Sequence, residues 1–534
     1  MSTWFETTDT RSSTKYAINT LLFFQESLID DHEADDCPPD CGPKESGSFF
    51  SSNAFQFYNA PLQEPGSAYP AKMLTCAQFD TLALQQSPLL HLSRVNDSYW
   101  LACNTASTAQ LVVLDARAVA LLEQFRSAIT VQEIIHRQGE GLFTTEKLLH
   151  LISLFARLGL ICDPAEPVQH HTNTPSHTLS AWLHVTNACN LRCSYCYIQK
   201  SSEHMADDIA QRAIDAIVRS ATNNGYRHVH IKYAGGEASL RLQHVLDIHD
   251  YALEQVQKHG LTLKDTLLSN GVTLTQRTIE RLQARNIGVA LSLDGIGTYH
   301  DSQRTFSNGL GSFRYVDRTI TRLLANGLVP SVNVTVSQRN LPGLIETLGY
   351  ILERDLPFKL SYYRENEHSA HLADLRFKED QMIAGMLGAF AYIENHLPRR
   401  RLLNSLIDKA SMTTPHSHVC SMGTSYLVID QHGGVAKCPV EIKRPVTTIN
   451  AADPLRIVRN DRTAVQAVPV EEKEGCRDCQ WRYWCSGGCP ALTYRLTGRN
   501  DIKSPNCRIY QALFPAALRL EALRLLTYTA PITL

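Results

Sequence analysis

Apolar and polar residues alternate in short bursts along this chain, and between the bursts the apolar positions return at helical spacing. From residue 180 the bursts at 183–185, 228–233, 262–268, 288–293, 331–336 and 358–362 read as strands. The segments 207–222, 240–258, 275–285, 313–325 and 341–353 between them read as helices. Repeated β–α units predict a parallel sheet with right-handed crossovers, and six of them suit an incomplete barrel better than an eightfold one. The expected fold is therefore α/β, a partial (β/α)6 TIM-like barrel over residues 176–400. Upstream, strands at 91–95, 99–103 and 110–114 and helices at 116–126, 130–136 and 145–158 predict a small winged-helix-like α+β domain over 85–165. Residues 1–84 form an N-terminal extension: an apolar run at 18–24 precedes an acidic, Pro/Gly/Ser-rich stretch at 30–66 that reads as a linker or mobile arm. A helix at 380–396 leads into a cysteine-rich domain over 410–515, and a leucine-rich helix near 512–526 opens the final segment, 516–534.

Composition narrows the function. With 51 Lys and Arg against 53 Asp and Glu in 534 residues, the net charge is −2, which excludes nucleic-acid binding by bulk charge. The N-terminus lacks a basic region followed by an apolar core, and no apolar stretch is long enough to span a bilayer. The expectation is a cytoplasmic protein without nucleic-acid or membrane partners. Fifteen cysteines in a reducing compartment need a role other than disulfides. Cys37, Cys41, Cys76, Cys103 and Cys162 are scattered and read as idle thiols, although the Cys37/Cys41 loop has a weak metal-binding look. The other ten fall into two groups.

The first group follows the first predicted strand: Cys189-Asn-Leu-Arg-Cys193-Ser-Tyr-Cys196. Short spacings let one loop wrap a cubane, and three thiolates for four irons leave one iron open. Zinc is the alternative, but it would want a fourth ligand, and the nearby His184 falls in the strand. In such barrels chemistry sits at the C-terminal ends of strands. The C-x3-C-x2-C loop with Tyr195 before its third cysteine resembles the radical S-adenosylmethionine (SAM) superfamily. That resemblance implies a catalytic [4Fe–4S] cluster on Cys189, Cys193 and Cys196, and reductive cleavage of SAM to a 5′-deoxyadenosyl radical that takes a hydrogen atom from substrate. Gly235-Gly236-Glu237 resembles the family's Gly-Gly-Glu-Pro motif, with Ala238 in place of proline, and implies that Glu237 accepts from the SAM ammonium. Ser269 and Asn270 at the third strand's end, Ser292 and Asp294 at the fourth's, Arg304, and Asn333 on the fifth are expected as further SAM contacts, alongside Tyr195.

The second group is Cys476-x2-Cys479-x5-Cys485-x3-Cys489 with Cys507, preceded by Cys420 and by Cys438 in a Gly433-x4-Cys438 step. A zinc ribbon is the plain alternative. The arrangement resembles the SPASM extension of sulfatase-maturing enzymes and peptide maturases. Carried over, Cys476, Cys479, Cys485 and Cys507 hold one auxiliary [4Fe–4S] cluster and Cys420, Cys438 and Cys489 the other, three clusters in all. The eighth cysteine of that pattern is missing between 411 and 419, so either an iron stays open or His416 or His418 supplies the ligand.

Together these readings predict a radical SAM enzyme of the oxidoreductase type. It would use the 85–165 domain to bind the leader of a ribosomally made precursor peptide, and would oxidatively modify, by crosslinking above all, the rest of that peptide. Electrons would come from a flavodoxin or ferredoxin. A formylglycine-generating sulfatase maturase, a small-molecule SPASM dehydrogenase and a non-catalytic metal-binding regulator are the rival readings. Tyr362, Tyr363, Arg364 and Glu365 at the sixth strand's end could line the substrate cavity, but residues so placed are more often structural, and they are not counted as catalytic. The peptide, the bond formed, the residue that quenches the radical and the oligomeric state are not readable from the sequence.

Overall fold

The computed structural model describes residues 21–24, 82–107, 111–138, 143–165, 177–530 and 532–533. The stretch 30–66 and Cys37, Cys41 and Cys76 lie outside the described residues. Six strands carry the centre: β1 (Thr178–Thr186), β2 (His228–Gly235), β3 (Thr262–Ser269), β4 (Gly288–Ser292), β5 (Ser331–Val336) and β6 (Phe358–Tyr362). They pair in parallel and in chain order, as repeated β–α units require. Helices Asp207–Asn223, Leu242–Lys258, Gln276–Gln283, Phe313–Ala325 and Leu344–Glu353 make the returns.

Side-chain alternation divides each strand between two environments. Leu179, Ala181 and Leu183 of β1, Val229 and Ile231 of β2, and Val332 and Val334 of β5 join one core with Ile214, Ile217 and Ile320 of the helices. The opposite face carries Trp182, His230, Lys232, Thr266, Asn333 and Lys359, none of them buried. A fully parallel sheet with a polar face is unusual unless that face lines a site.

The sheet runs further than the sequence pattern indicated. β7 (Tyr426–Ile429) adds in parallel beside β1, and Gly434–Ala436 and Thr447–Thr448 follow antiparallel, making nine strands. Strands of two to four residues offer too few positions to show a period, which is why they are silent in the sequence.

Near the N-terminus, Leu90–Arg94, Tyr99–Asn104 and Val112–Asp115 form an antiparallel sheet extended by Leu21–Phe24 and Ile532–Thr533. Ala83–Gln86, also unread in the sequence, bridges Ile129–Thr130 and Ile161–Cys162. Helices Ala116–Glu123 and Thr145–Arg157 start on side-chain caps from Asp115 and Thr144, and pack Leu121, Ile152 and Phe155 into a separate core. Leu89 and Ala106 of this unit pack with Val470, Cys476 and Tyr483, and Thr105 Oγ1 donates to Gln480 O at 2.5 Å. The unit thus sits directly on the C-terminal cysteine region. Among the described residues no helix is long and apolar enough to cross a membrane.

Leu183 is fully buried on β1, two turns of the pleat before the first cysteine loop. Leu183→Ala is expected to cost about 2–5 kcal/mol. A urea-unfolding midpoint unchanged from wild type would show that this strand is not anchored as described.

Candidate active site in the barrel and two further cysteine groups

Where β1 ends, the chain enters the loop that carries Cys189, Cys193 and Cys196, and backbone bonds fix it from several sides. Arg192 N donates to Thr305 O at 2.7 Å, Ser194 N to Gln303 O at 3.0 Å and Glu237 N to Ala188 O at 2.8 Å. A Cβ on Gly236 would lie 2.4 Å from Ala188 O, so glycine is required for β2's end to touch the loop. The loop thereby brings three thiols together, and burial weighs against ionisation of two of them. Burial pushes the Cys193 thiol up to about 12, with Arg304 opposing and Cys196 and Cys189 adding to it. Burial also raises Cys189, against the pull of Lys200 and of Leu191 N. Lys200 Nζ stands 3.0 Å from Cys196 Sγ, Leu191 N donates to Cys189 Sγ at 3.4 Å, and Asn270 Nδ2 lies 3.8 Å from the same sulfur. Neighbouring thiols that resist ionisation become thiolates readily once a metal supplies positive charge, and the donor set therefore fits an iron–sulfur cluster.

The expected SAM contacts divide between two layers. Glu237 is buried, and its Oε1 accepts from Ser239 N, Ser239 Oγ and Ser269 Oγ at 3.1, 2.5 and 2.8 Å. Oε2 takes only Asn270 N, at 2.6 Å, and so keeps an acceptor position for an ammonium. Glu237, Ser269, Asn270 and the glycines therefore meet Cys189 in one place. Tyr195, Asp294 and Arg304 meet in another. The Tyr195 hydroxyl donates to Asp294 Oδ2 at 2.6 Å, Arg304 Nη1 bonds the same hydroxyl and lies 3.4 Å from that carboxylate, and Thr335 N donates to Asp294 Oδ1 at 2.8 Å. Burial works against the Arg304 guanidinium, but Cys193, Tyr195 and Asp294 hold it well above its ordinary value. Its Nε is buried without a partner. Ser292 and Asn333 pair in register on the polar face, where Asn333 Oδ1 accepts from Ser361 Oγ at 3.0 Å; they do not join the cysteine loop.

Several residues at this site escaped sequence reasoning. Lys200 contacts Cys196, Arg339 Nη1 donates to Ser194 Oγ at 3.1 Å, and Asn366 Nδ2 donates to Tyr195 O at 2.9 Å. Arg339 and Asn366 reach the loop across distant chain, and Lys200, four residues past Cys196, belongs to no spacing that announces it.

The C-terminal cysteines gather in the two predicted sets. Cys476, Cys479, Cys485 and Cys507 line one pocket with Trp481, Tyr510 and Phe514. Burial pushes Cys485 up to about 12 and Cys476 to about 11, and each feels Cys479 and Cys507. In the other set, burial and then Cys489 and Cys420 push Cys438 up to about 12. Cys489 goes the other way: burial opposes its ionisation, but Arg364 and Lys409 outweigh it. Arg364 Nε is 3.2 Å from Cys489 Sγ while Nη2 holds Asp408 at 2.5 Å, so Arg364 serves this group rather than only the fold. The His416 ring bonds Thr414 O at 3.0 Å, and the charged neighbours of His418 are Glu471, Lys473 and Glu472. Cys103 is buried in the core and Cys162 sits in a short strand. Among the described residues no three His, Cys, Asp or Glu side chains close around a single ion.

Asp294 and Arg304 are a buried pair, and removing one partner of such a pair costs about 3–5 kcal/mol. Asp294→Ala is expected to lower the thermal midpoint of the anaerobic protein and its iron content together. Wild-type values for both would contradict this role.

The Radical SAM superfamily model matches residues 183–342, the span from β1 through β5. The serine-type anaerobic sulfatase-maturating enzyme of Bacteroides thetaiotaomicron is 26% identical over 358 residues, covering 59% of this chain and 82% of that protein. The sporulation killing factor maturation protein SkfB of Bacillus subtilis is 26% identical over 163 residues, covering 30% of this chain and 37% of that protein. The solved structure of native anSMEcpe with bound AdoMet and Cp18Cys peptide superposes with a TM-score of 0.53 at 19% identity, over 65% of this chain and 99% of that one, and shares the fold. Residues 183–342 are a radical SAM domain, in a chain homologous to anaerobic sulfatase-maturating enzymes and to peptide maturation proteins.

Proposed function

We propose that this chain is a radical SAM peptide maturase of the SPASM type that oxidatively modifies, by crosslinking above all, a ribosomally made precursor peptide. The observation that carries the reading is the gathering of seven C-terminal cysteines into two groups beside the barrel, one of them lining a single pocket. A domain that only cleaved SAM would need the first loop alone. The bound clusters and SAM would supply a one-electron cleavage that yields the hydrogen-abstracting radical, and an acceptor for the electron left on an oxidised substrate.

The chain's own residues do the rest. Cys189, Cys193 and Cys196 would hold the catalytic cluster, with Lys200 offsetting negative charge at Cys196. Glu237 would take the SAM ammonium on Oε2, while Ser269 and Asn270 keep its carboxylate in place. Tyr195, Asp294 and Arg304 would lock the loop's middle, and Gly236 would let β2 reach it. Cys476, Cys479, Cys485 and Cys507 would hold one auxiliary cluster, and Cys420, Cys438 and Cys489 the second. The N-terminal unit, seated on Cys476 and Tyr483, would receive the leader along strand Leu90–Arg94, which is at a sheet edge.

A second reading, formylglycine formation in a sulfatase, is favoured by the match to 82% of the Bacteroides enzyme's length. Incubation with SAM, a reductant, and either a precursor peptide encoded beside this gene or a sulfatase-motif peptide separates the two. Loss of two hydrogens from the precursor, seen by mass spectrometry, is expected; turnover confined to the sulfatase peptide would favour the second. Replacing Cys189, Cys193 and Cys196 together by Ala is expected to abolish 5′-deoxyadenosine and to lower bound iron by about four atoms per chain. Undiminished cleavage in that variant would end both readings.

A further inference from the structure

Asp294 and Arg304 meet at the Tyr195 hydroxyl, and a second connection joins the same two residues through side chains that the proposed chemistry leaves unused. Asp294 N donates to His300 Nδ1 at 3.3 Å, His300 Nε2 stands 3.0 Å from Ser312 Oγ, and Ser312 Oγ donates to Arg304 O at 2.6 Å. Each bond fixes the next. Asp294 N–H needs an acceptor, so Nδ1 carries no proton. The Ser312 hydroxyl proton is directed at Arg304 O, so its oxygen is left to accept, and the bonding pattern puts the ring proton on Nε2. Burial, then Arg304, hold the imidazole well below its ordinary pKa, which keeps the ring neutral. His300 and Ser312 are fully buried, so bulk water does not compete for these bonds.

Close packing brings the ends within reach. A Cβ on Gly295 would lie 2.8 Å from His300 N, so glycine is needed for the chain after Asp294 to pass the short helix Thr298–Asp301 that carries His300. On the far side, Ser312 immediately precedes helix Phe313–Ala325, and Phe313 N donates to Asp301 Oδ1 at 2.8 Å. The backbone of 303–305 then turns the connection toward the cysteines. Gln303 O accepts from Ser194 N and Thr305 O from Arg192 N, while the carbonyl between them, Arg304 O, faces the other way to Ser312. Peptide planes are rigid, so a bond that fixes the middle carbonyl also limits the two that flank it. Both ends of the series therefore finish on groups that touch the loop between Cys189 and Cys196: Asp294 through Tyr195, and 303–305 through Arg192 and Ser194.

We propose that His300 and Ser312 are positioning residues for the radical chemistry: with its proton on Nε2, the His300 ring transmits the place of Asp294 to the 303–305 backbone, and so sets Tyr195 and Arg304 against the cysteine loop for SAM binding. The proposal rests on the radical SAM reading of that loop and deepens it, by adding two residues that act only through others.

The test is SAM affinity in the full chain with clusters reconstituted, read from the change that SAM makes in the electron paramagnetic resonance signal of the dithionite-reduced protein. Three variants are compared: His300→Asn, Ser312→Ala and both together. Asparagine keeps an acceptor for Asp294 N but falls short of Ser312, and Ser312→Ala removes a single oxygen atom. Each single variant is expected to bind SAM about tenfold more weakly with iron content unchanged, as loss of one link in a buried series implies. Because both changes break the same series, the double variant is also expected to lose only about tenfold, whereas independent sites would multiply to about a hundredfold. Wild-type affinity in Ser312→Ala overturns the proposal, and so does the multiplied loss in the double variant. Weaker binding that comes only with iron lost from every cluster overturns it too, since that marks a role in the fold alone. Wild-type samples keep the two levels apart: no SAM-dependent signal in wild type sinks the radical SAM reading itself, and a wild-type signal with unmoved variants sinks the positioning role alone.

Discussion

Thiols buried where they resist ionisation are the constraint around which the rest of this chain is arranged. Cys193, Cys438 and Cys485 are each pushed up to about 12 by burial, and each has other cysteines close enough to raise it further. A protein interior built only for stability would space such groups apart or bury them singly, as it does with Cys103. Holding them together makes sense when positively charged iron converts them to thiolates. Lys200 and Arg364, each touching one sulfur, fit the same proposal: they would offset part of the negative charge that cluster ligation would leave.

The barrel serves this constraint by bringing strand ends to one loop. Thr186 at the end of β1 and Gly236 just past β2 are in backbone contact, Asn270 after β3 reaches both Glu237 and Cys189, and Asp294 after β4 ties Tyr195 to Thr335 of β5. Five consecutive strand ends thus converge on the cysteine loop, which explains why a cofactor can be shared among residues more than a hundred positions apart.

Much of this was legible in the sequence because it is written in local periods and spacings. All six barrel strands were found there, with β5 and β6 at their observed bounds, because valine- and leucine-rich alternation reports burial of one face. Both cysteine groups were visible from spacing alone. The remainder depends on long-range contacts. Strand Tyr426–Ile429 is too short to show a period, and nothing local ties Arg364 to Cys489, 125 positions away. Ser292 and Asn333, expected as SAM contacts because they end or line strands, pair in register on the polar face, where no hydrogen bond ties them to the cysteine loop.

Electron paramagnetic resonance of the dithionite-reduced protein, recorded with and without SAM, tests the central claim most directly. The account predicts iron–sulfur signals of which one component changes on SAM addition, and predicts that this component alone is missing when Cys189 is replaced. A colourless protein without such a signal, or a spectrum that SAM leaves unchanged, would contradict it.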